Sequence, residues 1–334
     1  KMLRIPGMKI YVDGYNGDRG FPAMSEPYSS ALMDLWGIPA QYPYGNLYFN
    51  QTELSLATKQ IQDMGFSVAF HAYGDHAIET TLHAIQYSLN GTFNNATRHQ
   101  IEHNAYIRED LVSLALDLDT LHSVRGYFST YNQDAYEQLY SLNWQDWLVN
   151  RFSLPGVGLH SYLETDFSYP SYDSSDWTRS TNIRPFLHLW GLVTRQAINS
   201  TGAIHQPHPW VSEHSIPVEQ ALRMMTYEGA YAVKQEEYVG TLEVGKFADI
   251  IILTADPLTI DPNFLKDIEV LVTMVGGKTE YKSESFVIVS NYADEWPIFT
   301  ISVVYPIWFV VGALGVYIVR NITQRRVNKE NENR

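Results

Sequence analysis

FSVAFHAYGDHAIETTLHAIQYSL, Phe66 to Leu89, carries two hydrophobic periods in succession. FSVAFH, Phe66 to His71, is an apolar run of strand length ending on a histidine, and Asp75 to Leu89 places its apolar residues at helical spacing. Gly74 and Asp75 between them read as the turn and cap that launch the helix. A buried strand running directly into an amphipathic helix is one βα unit, and such units build parallel sheets covered by helices.

The same alternation extends in both directions. Met8 to Val12 reads as a strand, Glu53 to Met64 as an amphipathic helix with Thr52 as its cap, Arg98 to His103 as a strand, Arg108 to Asp117 as a helix and Thr120 to Ser123 as another strand. The fold class is therefore α/β, and in such sheets function gathers at the C-terminal ends of the strands. His71 and His103 both occupy such an end. Each is open to two readings, a packed structural histidine or a metal ligand, and two so placed can share one ion. Asp166 in SYLETDFSYP ends another strand-like run; it reads either as a loop aspartate or as a ligand or general base. His76 and His83 belong on the outer face of their helix. His99 lies in strand-like sequence, so it forms no helical pair with His103, and His205, His208 and His214 form a loop cluster that could line a pocket but reads rather as solvated loop residues.

Composition narrows the chemistry. Among 334 residues there is no cysteine, so a metal would be held by His, Asp, Glu or a modified lysine. A formal net charge of -14 leaves no basic stripe for a phosphate backbone, which argues against nucleic acid as a partner. No glycine-rich phosphate loop and no Gly-x-Ser-x-Gly elbow occurs.

The second half changes character. Ser153 to Ser215, rich in Tyr, Ser, Pro, Trp and His, reads mostly as a long functional loop with a helix inside it. A helix from about Pro217 to Ala232 follows. GTLEVGKFADIIIL and IEVLVTMVGGKTEY then supply short strands separated by glycine turns, a small antiparallel unit.

Ile298 to Val319 runs for about 22 residues without a charge, long enough to cross a bilayer as a helix. Trp296 sits at its start, and Arg320, Arg325, Arg326 and Lys329 follow, which predicts a cytoplasmic C-terminus and a main domain outside the cell membrane. The Asn-x-Ser/Thr triplets at Asn50, Asn90, Asn95 and Asn199 would then be glycosylation acceptors. KMLRIPGMKIYVDG has no apolar export region, so an upstream portion is expected to carry one.

Taken in order, MKIYVDG, FHAYGDHAIETTLHAI, RHQIEHNAYI, LETDFSYP, PVEQALRMMTYEGAYAV and GTLEVGKFADIIILTADP resemble the amidohydrolase superfamily, most nearly its N-substituted formamide deformylase branch. The resemblance runs from about Met8 to Lys282 and implies the C-terminal part of a distorted (β/α)8 TIM-type barrel with a small β-sandwich. It also implies one or two divalent metal ions, commonly zinc, and hydrolysis of a C–N bond in a small-molecule amide, formamide or cyclic amide. In that likeness Lys9 matches the lysine that can be carboxylated to bridge metals, while His71 matches the HAxGD histidine and His103 that of IEH. Asp166 matches the aspartate that ligates metal and takes the proton.

This chain departs from the pattern in places: no His-x-His motif occurs, Thr165 precedes Asp166 where serine is usual, the nearest proline is Pro170, and His76 replaces an arginine. The expected organisation is a partial barrel over 1–235 holding the loop 153–215, a sandwich over 236–290, a membrane helix over 298–319 and a tail over 320–334. The uncovered edge at Met8 to Val12 calls for an N-terminal portion or separate chain that completes the sheet. The rival reading is a catalytically inactive barrel that binds a partner or glycan.

Overall fold

The computed structural model describes residues 5–14, 20–126, 142–165, 184–198, 203–207, 209–286, 310–311 and 314–317. Strands β1 (Gly7–Tyr11), β2 (Ser67–Ala72), β3 (Gln100–His103), β4 (Leu121–Val124) and β5 (His160–Leu163) form one parallel sheet in chain order, β1-β2-β3-β4-β5. Between them run α1 (Ser30–Trp36), α2 (Gln51–Asp63), α3 (Asp75–Leu89), α4 (Glu109–Leu118) and α5 (Leu142–Ser153). Because strand order equals chain order and crossovers are right-handed, the helices stack on one face, the winding of a barrel wall.

Strand alternation sets the two faces of that wall. Val68, Phe70 and Ala72 of β2 pack in one apolar cluster with Leu54 of α2 and Ile78, Leu82 and Ile85 of α3. Period-two alternation sends His71 to the opposite face. The βα reading of 66–89 is therefore realised, with α3 spanning Asp75–Leu89 and both His76 and His83 exposed. His99 is buried and fully engaged: Nδ1 accepts from the Val68 amide at 3.0 Å and Nε2 meets Gln62 Oε1 at 2.9 Å.

Two local expectations need correction. Asn50, not Thr52, caps α2: its side chain accepts from the Glu53 amide at 3.0 Å while Glu53 Oε2 accepts from the Asn50 amide at 3.1 Å. A reciprocal capping box satisfies two terminal donors where a threonine cap would satisfy one. The span 153–215 holds the helix expected inside it, α6 (Pro185–Thr194) of the second core, and is also more than loop because it contributes β5 to the sheet. β5 covers the start of the strand-like run that leads to Asp166.

The helix expected over 217–232 breaks at Thr226 into α7 (Val218–Met225) and α8 (Tyr227–Ala232). Strands β6 (Ala197–Ile198) and β7 (Ile204–His205) form a two-stranded antiparallel ribbon; β8 (Ile250–Leu253), β9 (Val270–Val275) and β10 (Lys278–Lys282) pair antiparallel, and Ile251 and Leu253 pack with Phe186, Leu189 and Trp190 of α6. Among the described residues this unit is one sheet backed by a helix, where a sandwich was expected.

Most of the apolar run 298–319 lies outside the described residues. Its described parts, Val310–Val311 and Leu314–Tyr317, are short strands, the second parallel to β8, where a membrane helix was expected. A run rich in valine and isoleucine suits a strand as well as a helix, and length alone does not separate the two. No helix of the described residues is long and apolar enough to cross a membrane. Asn199 and the tail 320–334 lie outside the described residues.

Candidate metal centre

The C-terminal ends of β2 and β3 bring His71 and His103 together, their ring centroids 4.6 Å apart and nearly perpendicular. Backbone shape contributes to this. By strand register His103 stands opposite Ala72, but it and Asn104 adopt positive φ, 72° and 44°. Left-handed backbone at non-glycine residues is uncommon and costs energy, and here it turns the end of β3 as the histidine is reached. Tyr73 lies 5.0 Å from the His103 ring and 5.2 Å from the His71 ring, and Tyr11 lies 4.7 Å from His71.

Both histidines are buried. His71 Nε2 has no hydrogen-bond partner among the described residues. Burial lowers its pKa from 6.5 to about 2, with the neighbouring His103 and Lys9 acting the same way, so the ring is neutral and its nitrogen can offer a lone pair.

His103 is held differently. Its Nδ1 lies 2.7 Å from Glu164 Oε1, and the same oxygen is ion-paired with the Arg125 guanidinium, 3.2 Å from Nε. Burial works to raise the Glu164 carboxyl, but His103 and Arg125 outweigh it and hold the group well below the usual carboxylate range. The His103 amide donates to Ser123 Oγ at 3.0 Å, which ties the end of β3 to β4.

Lys9 of β1 pairs with Glu102 of β3, spanning β2 between them. Lys9 Nζ also lies 5.3 Å from the Tyr11 ring centroid. Two residues past β1, Asp13 is fully buried and accepts backbone hydrogen bonds from Ala23 at 2.9 Å, Tyr73 at 3.0 Å and Gly74 at 2.8 Å. These three donors join the loop after β1 to the turn after β2, fixing the chain that follows His71.

Of the residues singled out from sequence, Lys9, His71 and His103 share this end of the sheet, while Asp166 lies outside the described residues. Sequence reasoning missed Glu102, Glu164 and Arg125. Glu102 was findable, since parallel register places it beside His71, and Glu164 stands two residues before Asp166 in the same run. Nothing in the sequence marked Arg125.

Among the described residues no group of three or more His, Asp or Glu side chains could hold a metal ion by itself. The pair His71 and His103 nevertheless fits part of a ligand set: one ring presents a buried nitrogen without a partner, and the other has Nδ1 committed to a carboxylate. Ligating histidines commonly carry such a second bond.

Residues 172–281 match the model of the Amidohydrolase family. An N-substituted formamide deformylase from Arthrobacter pascens is 24% identical over 287 residues, covering 84% of this chain and 46% of that protein. The putative amidohydrolase YtcJ of Bacillus subtilis (strain 168) is 25% identical over 283 residues, covering 82% and 47%. The chain thus spans about half the length of the curated relatives it matches. A structure titled as an uncharacterized metal-dependent hydrolase from Pyrococcus furiosus superposes with a TM-score of 0.55 at 23% identity, over 77% of this chain and 46% of that one. Its counterpart from Pyrococcus horikoshii OT3 gives 0.57 at 22%, over 78% and 46%. These structural likenesses bear on fold alone, and they agree with the barrel-type winding of β1 to β5. The family match over 172–281 and the relatives' names thus make the chain similar to amidohydrolases, and the superpositions add a likeness of fold.

Proposed function

We propose that the protein carrying this chain is a metal-dependent hydrolase that cleaves a C–N bond in a small amide, formamide or cyclic amide. The observation that carries the reading is the pair His71 and His103, with a buried, unpartnered Nε2 on His71 at the C-terminal ends of adjacent parallel strands. The names of the relatives support the bond class.

His71 and His103 would hold one divalent ion, with zinc among those that suit imidazole and carboxylate donors. Lys9 and Asp166 are the further ligands proposed, and in a two-metal centre Lys9 would be the bridge. Bound there, such an ion acidifies water and polarises a carbonyl. The chain's own contributions are distinct from that. Burial keeps His71 neutral and therefore ligating, and Glu164 orients His103. Asp166 would move a proton toward the leaving nitrogen. Strands that complete the barrel beyond β1 belong to the same proposal, supported by the half-length coverage of the relatives.

Metal analysis of the full protein and of His71→Ala and His103→Ala tests the reading. Loss of metal in both supports it; full retention in both refutes it, and a metal-free wild-type protein favours the binding scaffold. Anchoring in the cell membrane, with the domain outside, is a separate proposal resting on the uncharged run 298–319 and the basic residues after it. Release of the protein from membranes by alkaline carbonate would refute that anchor.

A further inference from the structure

We infer that Glu164 and Arg125 together are a positioning device for His103, fixing the tautomer in which Nδ1 carries the proton and Nε2 is the free donor atom. The inference rests on reading His103 as a metal ligand and adds to that reading a residue pair that no motif marks.

The shorter contact decides the tautomer. Arg125 Nη2, which can only donate, lies at the long distance of 3.4 Å from His103 Nδ1 and competes poorly for that nitrogen. Glu164 Oε1 lies 2.7 Å from the same nitrogen, a length that requires one proton between the two atoms. A carboxylate ion-paired with the Arg125 guanidinium at 3.2 Å is held in its ionised, acceptor-only form, which puts that proton on Nδ1. In a neutral ring the lone pair then lies on Nε2. With Nδ1 tied to Glu164 and the amide tied to Ser123, the ring has little freedom to turn away from His71.

Burial makes the arrangement selective. The side chains of His103, Arg125 and Glu164 are 3%, 6% and 12% exposed, so no bulk water competes for these bonds. Each of the three elements contributes one part: β3 supplies the ring, the residue after β4 the guanidinium and the residue after β5 the carboxylate. Arg125 here compensates the charge of a buried carboxylate, and the carboxylate in turn sets the imidazole.

The test is a nitrogen-15 measurement of the His103 ring in the metal-free full protein, joined to zinc affinity by competition with a chromophoric chelator. A pyrrole-type Nδ1 and pyridine-type Nε2 in the wild type are expected; the reverse tautomer overturns the proposal, and this readout needs no variant to fold. Glu164→Gln, with its fold checked by circular dichroism, should bind zinc about ten- to a hundred-fold more weakly. Unchanged affinity in that variant also overturns it. His103→Ala separates the two readings: if zinc affinity survives that change, the metal-centre assignment fails, while the tautomer measurement still decides the role of Glu164.

Discussion

Asp13 offers the sharpest quantitative test of how this fold supports its site. Its carboxylate gathers the amides of Ala23, Tyr73 and Gly74 in a fully buried position. Asp13→Ala would orphan three buried N–H groups, each costing about 1–3 kcal/mol. Against this stands the relief of a desolvated carboxyl, since burial, partly opposed by the Gly74, Tyr73 and Ala23 amides, raises its pKa from 3.8 to about 7. The net expectation is a loss of about 3 kcal/mol at neutral pH. Asp13→Asn should cost less, about 2 kcal/mol, because one oxygen remains while the new amide donor faces backbone donors.

The raised pKa carries a sign that can be tested on the same samples. Below 3.8 the group is protonated both folded and unfolded, so its contribution is fully present there. As pH rises toward 7, the unfolded chain ionises while the folded one resists, and stability falls by about 1.4 kcal/mol per unit. Urea denaturation of the full protein between about pH 5 and pH 8 should show this component vanish in Asp13→Asn. A loss under about 1 kcal/mol for Asp13→Ala at neutral pH would refute the view that this carboxylate organises the turn behind His71.

Other consequences follow from the same structure. His99 and His122 are buried neutral, their pKa values lowered chiefly by burial to about 4 and about 3, so their contribution is present above 6.5 and is lost as pH falls below it. Each should contribute about 1.4 kcal/mol per unit in that window, opposite in sign to Asp13, and His99→Gln should reduce the slope by about one proton in denaturation curves. Arg98 binds both oxygens of Glu236, donates to the Tyr231 carbonyl at 2.6 Å and lies 3.8 Å over the Tyr231 ring. Arg98→Ala should cost about 2–3 kcal/mol in thermal or urea unfolding, and Arg98→Lys should restore less than half, because an ammonium cannot reproduce a bidentate, stacked fork. A Cβ on Gly74 would meet the Ala23 carbonyl oxygen at 2.0 Å, whereas one on Gly156 meets nothing within 4 Å. Gly74→Ala should therefore destabilise by at least about 2 kcal/mol and weaken metal binding, with Gly156→Ala within about 0.5 kcal/mol of wild type.

How much of this was legible in the sequence depends on whether the determining interaction is local. The βα unit 66–89 was readable because burial on one side and helical spacing on the other leave separate periodic signatures. The alignment of His71 with His103 followed from strand ends, yet the turn that seats His103 depends on left-handed backbone at His103 and Asn104, which no side-chain pattern announces. The contacts of Glu164 and Arg125 with His103 were invisible for a different reason: they close across 61 and 22 residues of chain. The strands at 310–317 show the converse. A local signal, apolar length, favoured a helix there, and pairing with β8 at a distance of more than sixty residues is what defines their described conformation.

The pairing of Lys9 with Glu102 leads to one last consequence. An unmodified lysine across from a carboxylate is an ion pair joining β1 to β3, whereas a carboxylated lysine would set one anion against another. The two states exclude each other at this position unless a bound cation lies between the anions. Carboxylation of Lys9 should therefore depend on metal: native mass spectrometry of the full protein should find the carbon dioxide adduct with zinc bound and the bare lysine after chelation. Glu102→Gln removes the competing carboxylate and should allow the adduct to persist with less metal. An adduct present in equal amount with and without zinc, and unaffected by Glu102→Gln, would show that Glu102 does not govern the state of Lys9.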